Sequence, residues 1–277
     1  MSERLLWPII VIFAAFSAMK PLLVGTPVEV LVPMVSILAP VAFVLIHAPR
    51  QIGWTNLVAF FLLTCVISWS YESLSIATGF PFGNYHYTEK LGWKLGTVPL
   101  LIMPAYFGVC YISWHIARLL TGATAPEAAF RLPVALIAAF VMVMWDLSMD
   151  PSRATISLAW IWHDGGAYFG VPFVNFAGWF LCVVTIFAAF NFWLSRRNGQ
   201  GVALGTKASL AQTLGLYAAL FAEFPAWAAF GPTTGTVTDA VGQVWNLHDI
   251  YQSLGLVALF TMGFVLVLGF ASLRRLD

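Results

Sequence analysis

The chain has 277 residues, 60% of them hydrophobic and 9% charged, with a formal net charge of +1 and a mean hydropathy of +0.86. A water-soluble domain carries roughly 25% charged residues, so the composition excludes one and defines an integral membrane protein. The near-neutral charge, with no basic cluster, offers nothing to a nucleic acid.

A helix needs about 20 apolar residues to cross the hydrocarbon layer. About eight such runs follow one another, at roughly 5–24, 30–47, 54–78, 98–120, 132–150, 172–194, 208–230 and 250–273. They use nearly the whole chain. The expected fold is all-α: a polytopic transmembrane helical bundle of about eight spans, a single integral membrane domain over 1–277, with aromatic Gly/Pro-rich outer loops.

The first run has no small-residue cleavage site, and Lys20 stands where a signal peptide is apolar, so it reads as a retained span. Lys20 is expected to snorkel to the interface rather than pair with a carboxylate. Cys65, Cys110 and Cys182 lie singly in different runs, as buried thiols do, not as a disulfide or metal framework.

The third run ends with Trp69, Tyr71 and Glu72, then a hairpin from Gly79 to Gly83, then Tyr85, His86 and Tyr87. The glycines permit tight turns. Tyr87 and Trp93 also fit an ordinary interfacial aromatic belt. Tyr71 and Glu72 fit it less well, because they sit adjacent inside the span.

The fifth run closes on Asp146 and Asp150, four apart and so on one helix face, flanked by Trp145 and Met149. Pro151 is expected to stop or kink the helix there. If Arg153 neutralises Asp150, Asp146 is the better proton-bearing acid. Acids inside a membrane are costly and read as functional. Next come Trp160, Trp162, the neighbours His163 and Asp164, and GGAYFGVPFVNFAGW, whose Asn175 is a polar amide suited to anchoring a water or a carboxylate. This loop and the Gly79 hairpin share a Gly, aromatic and Pro texture on one side of the membrane. Two such loops can cover one cavity, since irregular backbone at membrane depth must be buried in protein or line a cavity.

The later runs are mostly scaffold, with Glu223 two residues before Pro225 as the exception. The polar segment 231–249 is a candidate lid. Asp249 opens the last run, where the helix dipole favours an acid and water is also near. Arg4, Arg50, Arg118, Arg131, Arg196, Arg197, Lys207, Arg274 and Arg275 fall on the side of both termini, against Lys90, Lys94 and Arg153 opposite. The positive-inside rule then puts both termini in the cytoplasm, in the cytoplasmic (inner) membrane of a prokaryote.

His47, His86, His115, His163 and His248 do not form the HxxxH or HxxHH spacings of membrane di-iron oxygenases. No Gly-rich dinucleotide fingerprint or GxSxG elbow occurs. The DxxxD of Asp146 and Asp150 resembles the Mg-diphosphate site of membrane prenyltransferases, which need a second acidic cluster and more basic residues. No cofactor and no metal site are therefore expected, and acid–base chemistry remains. A carboxyl group kept dry holds its proton, because desolvation disfavours the charged form. It can protonate an alkene if indole and phenol faces stabilise the cation, each by about 0.5–2 kcal/mol.

Glu72, Gly79, Gly83, Tyr85, Tyr87, Val98-Pro99, Asp146, Asp150-Pro151, Trp160, Trp162, Gly166, Tyr168 to Pro172, Asn175-Phe176 and Gly178-Trp179 form a pattern that resembles the CruF-type carotenoid hydratases. The resemblance covers about residues 55–195. It implies addition of water across the terminal 1,2 double bond of a linear ψ-end, giving a tertiary alcohol, by a cofactor-independent hydro-lyase. The roles follow from the chemistry. Asp146 or Glu72 would protonate C2, and Asp150 or Glu223 would orient the water that captures C1. Tyr71, Tyr85, Trp145, Trp160, Trp162, Tyr168 and Asn175 would bind substrate. The implied partners are a carotenoid and membrane lipid, with association to other carotenoid enzymes or a pigment complex.

Two rival classes keep the same residues. A non-catalytic carotenoid- or quinone-binding subunit of a photosynthetic complex would need the aromatics and not the acids. A proton-coupled carrier would use Glu72, Asp146 and Glu223 as a relay, and should carry broken helices in an inverted repeat.

Overall fold

A computed structural model describes residues 6–203 and 205–276. Arg4, counted for orientation, and Leu5, the start of the first run, lie outside the described residues. Lipid offers no partner to backbone N–H and C=O groups, so the apolar runs satisfy them internally as helices. These are α1 (Leu6–Leu23), α2 (Val32–Gln51), α3 (Gly53–Thr78), α4 (Ile102–Leu120), α5 (Leu132–Pro151), α6 (Phe173–Arg196), α7 (Lys207–Phe221), α8 (Glu223–Phe230), α9 (Leu247–Phe260) and α10 (Met262–Leu273).

Among the described residues seven stretches are long and apolar enough to cross a membrane: α1, α2 with the short turn before it, α3, α5, α6, α7 with α8, and α9 with α10. The eighth expected run is α4. Every residue from Tyr106 to Leu119 is buried, with α2, α3, α5, α7 and α10 packed around it. A helix enclosed by protein needs no aliphatic stripe for lipid, so this one carries Tyr106, Ser113, His115 and Arg118. Arg118 is not a loop charge. It is buried, and its guanidinium donates to the carbonyls of Ala123 (3.0 Å) and Thr124 (2.6 Å) in the turn toward α5.

Three local features aim the site. Pro225 has no N–H to give to the carbonyl four residues earlier. The helix breaks just there, at Ala222, and Glu223 begins α8. Pro151 likewise leaves the Leu147 carbonyl without its helical donor, and the regular α-helix ends there, as a stop or kink was expected to make it do. The Tyr168 hydroxyl donates to Leu147 O at 3.1 Å, and the chain continues through a π-helical turn over Ser152–Ile156. Such a turn is wider than α and commonly marks functional positions.

The third feature is a ribbon. Strand β1 (Tyr85–Tyr87) pairs antiparallel with a distant strand (Trp160–Trp162), setting Tyr85 opposite Trp162 and Tyr87 opposite Trp160. The two aromatic loops thus join as one cover. Strand alternation sends Tyr85 and Tyr87 inward and His86 out. Gly79 ends α3 in the left-handed conformation, φ +78°, which a side chain would resist. Ser75 Oγ then accepts from Phe82 N and donates to Gly83 O, both at 3.1 Å. On α6, a Cβ at Gly178 would stand 2.6 Å from Pro81 O, so the hairpin lies directly on that helix. Residues 94–95 and 98–99 form a short hairpin, and 236–238 with 244–246 another.

Candidate active site

Beneath the ribbon lies a cavity of about 540 Å³, walled by α1, α2, α3, α4, α5, α6 and the α7–α8 junction. Glu72, Asp150 and Glu223 all face it. Each is held by a different kind of partner.

Glu72 on α3 is 1% exposed. Its Oε2 accepts from the hydroxyls of Tyr85 and Tyr87, the latter at 2.8 Å, and its Oε1 accepts from Tyr106 at 2.9 Å. Burial, and after it the Glu72 carboxyl, holds the Tyr85 and Tyr87 phenols well above the usual tyrosine value. They therefore remain hydrogen-bond donors.

Asp150 on α5 is also buried. Trp160 Nε1 donates to its Oδ1 at 2.8 Å, and the Asn175 amide donates to its Oδ2. Asn175 is thus a carboxylate anchor, one of the two uses expected of it. Asp146, one turn earlier, is wholly buried and does not line the cavity. Neither of its oxygens has a well-formed hydrogen bond among the described residues, and the Asn175 amide that serves Asp150 also interacts with it.

Glu223 differs from the expectation for its surroundings. Arg153 pairs with it at 3.1 Å and leaves Asp150 to neutral donors. Lys20, expected to snorkel, also pairs with it. Packing of α1 against α7 and α8 buries Lys20 on the cavity wall, so its ammonium takes the carboxylate there instead of reaching the interface.

The remaining site candidates divide. Tyr85, Trp145, Trp160, Trp162 and Asn175 line the cavity. Tyr71 does not, and its hydroxyl meets Thr185 Oγ1 of α6 at 2.8 Å. Tyr168 does not either, since it is bonded to the Leu147 carbonyl. His163 turns outward to His86, Nε2 to Nδ1 2.6 Å. Asp249 is exposed, and no residue of the proposed lid lines the cavity.

Sequence reasoning passed over Tyr106, took Lys20 for a snorkelling residue, and named Trp179 only within the family pattern. The Tyr106 and Trp179 rings stack at 4.3 Å, 3° from parallel, and both line the cavity. A phenol or ammonium within an apolar run requires a partner, and that was the signal available. Among the described residues no three His, Cys, Asp or Glu side chains converge as a metal site would need.

The fold and site define an integral membrane protein whose helices enclose an aromatic cavity with carboxyl groups on its wall. A family model described as "Carotenoid biosynthesis protein" matches residues 31–246, and the chain belongs to that family. It is similar to a bisanhydrobacterioruberin hydratase of Haloarcula japonica, with 32% identity over 130 residues. That match spans 47% of this chain and 43% of the relative, so less than half of the relative's length is covered. No solved structure matches.

Proposed function

We propose that the protein is a carotenoid hydratase acting on the terminal 1,2 double bond of a linear ψ-end. The observation that carries this reading is that Glu72 and Asp150 face one aromatic-walled cavity inside the bundle. Membership of the carotenoid biosynthesis family and the hydratase name of the relative support it.

In this reading the end group enters among Trp145, Trp160, Trp162 and Trp179. Glu72 gives a proton to C2, and the π electrons of the double bond form the new C–H bond. The tertiary cation left at C1 faces the indoles, which stabilise a positioned cation by about 0.5–2 kcal/mol each. Water held by Asp150 bonds through oxygen to C1, and its surplus proton passes to Asp150. Substrate plus water equals product, and the site resets when a proton returns from Asp150 to Glu72. Asp146, on the Asp150 face and sharing the Asn175 amide with it, is the store for that proton. Glu223, already engaged by two cations, anchors α1 and α5 on α8 and keeps the polar end of the cavity open to water.

The whole chain acts as one membrane domain, with both termini on the cytoplasmic side of a prokaryotic inner membrane. The distribution of arginine and lysine supports that orientation. The test is expression in cells that make a carotenoid with linear ends. Extracted pigment should gain the mass of one water per reacted end, and the Glu72→Gln variant should not convert it. Pigment retained by the protein but chemically unchanged would instead favour the carotenoid- or quinone-binding subunit.

A further inference from the structure

At the end of the bundle away from the ribbon, α3 and α6 leave a groove between them. It is lined by Leu63 of α3 and by Ala189, Phe192, Trp193, Arg196 and Arg197 at the end of α6. We propose that this groove binds one acidic phospholipid, with its phosphate against Arg196 and Arg197 and an acyl chain along Leu63 and Ala189.

The guanidiniums are positioned before any ligand arrives. Arg196 lies over the Phe192 ring at 5.9 Å and Arg197 over Trp193 at 5.4 Å. The Trp193 platform is itself fixed, because its Nε1 donates to Asn56 Oδ1 at 2.9 Å. Asn56 is buried, and its amide donates to the carbonyls of Ile52 and Gln200, both at 2.8 Å. A chain of contacts therefore runs from the start of α3 through Asn56 and Trp193 to Arg197.

The charge is unanswered among the described residues. Among the described residues no carboxylate lies within ion-pair distance of either arginine, and no acid lines the groove. Arg197 Nε is shielded from solvent and has no acceptor. A cation at a helix C-terminus is favoured by the dipole, yet both guanidiniums here lie over rings. An arginine fork suits a phosphate better than a lysine would.

Depth selects the kind of phosphate. From Arg196 back to Ala189 the helix rises about 10 Å, from the interface into hydrocarbon. A soluble anion would fill only the outer end of such a groove. A phospholipid fills both ends, matching the basic sites between spanning helices that hold acidic head groups.

The full chain is placed in nanodiscs of phosphatidylcholine alone or with phosphatidylglycerol, and retained lipid is counted by native mass spectrometry. One phosphatidylglycerol should be retained and should raise the unfolding temperature. Arg196→Gln with Arg197→Gln should weaken retention by roughly tenfold or more. Arg274→Gln with Arg275→Gln removes the same charge from the exposed chain end and should retain the lipid. Equal loss in both double variants overturns the proposal in favour of general surface attraction. An equal temperature shift with inorganic phosphate overturns it in favour of a free-anion site, and retention by the first double variant overturns it outright.

Discussion

Arg153 donates to Glu223 across the cavity at 3.1 Å, although Asp150 stands three positions before it in the chain. Arg153 stands in the π turn that follows Pro151, and its guanidinium takes Glu223 rather than Asp150. Two kinds of acid result from that divergence. Glu223 sits between two cations, while Asp150 and Glu72 receive only neutral donors: an indole, an amide and three phenols.

Glu223→Gln should destabilise the bundle strongly. It would leave Lys20 and Arg153 facing each other without the carboxylate between them. Removing one partner of a buried ion pair costs about 3–5 kcal/mol. Lys20→Met combined with Glu223→Gln should recover part of the loss. Thermal unfolding in detergent measures both, and an unchanged midpoint for the single variant would contradict the buried triad.

Glu72→Gln should fold and lose hydration by roughly 10²–10⁴-fold, the usual worth of a general acid. Tyr106→Phe removes one of three donors, each hydrogen bond contributing about 0.5–1.5 kcal/mol, and should slow turnover several-fold without abolishing it. Product ratios in extracted pigment give both numbers. Full activity in Glu72→Gln removes this residue from the proton transfer.

Trp160→Phe keeps an aromatic wall and deletes the donor to Asp150 Oδ1. Carotenoid should still be retained while conversion falls. Asp146→Asn keeps a side-chain oxygen for the Asn175 amide, so its fold should hold and a loss of hydration reports the missing proton. Hydration at the normal rate in Asp146→Asn would remove the proton store from the scheme.

The His86–His163 pair makes the ribbon sensitive to pH. Burial first, and then neighbouring His163, lowers the His86 pKa below its usual value. An unfolded chain therefore takes up the proton before the folded one does. Stability contributed by neutral His86 is complete above the ordinary histidine pKa and declines as pH falls through and below it. The unfolding temperature should drop between about pH 7 and pH 5, and His86→Gln should flatten that slope. An identical pH profile in the variant would count against the pair.

Hydropathy alone reveals the spans here because a helix in lipid is a local solution: each N–H finds its acceptor four residues back. The same reasoning locates Glu72, Asp146, Asp150 and Glu223, since an acid is conspicuous in an apolar run. The two Gly-aromatic loops are legible as loops for a similar reason. Their glycines announce positive-φ turns, and Gly79 adopts one.

Partnership was not legible. Lys20 and Glu223 are 203 positions apart, and nothing near either one in the chain names the other. Nothing near Tyr106 in the chain points to a carboxylate, because its own run carries no acid. Only the packing of α3 beside α4 sets its hydroxyl 2.9 Å from Glu72. Asp146 and Asp150 are nearly indistinguishable as letters four apart, yet the tertiary fold gives one an indole and an amide and leaves the other only a share in that amide. Solvent transfer acts on each residue separately and can be summed along a chain. Hydrogen bonds and ion pairs act over about 3 Å between specific atoms, so they are decided only when distant helices come to lie side by side.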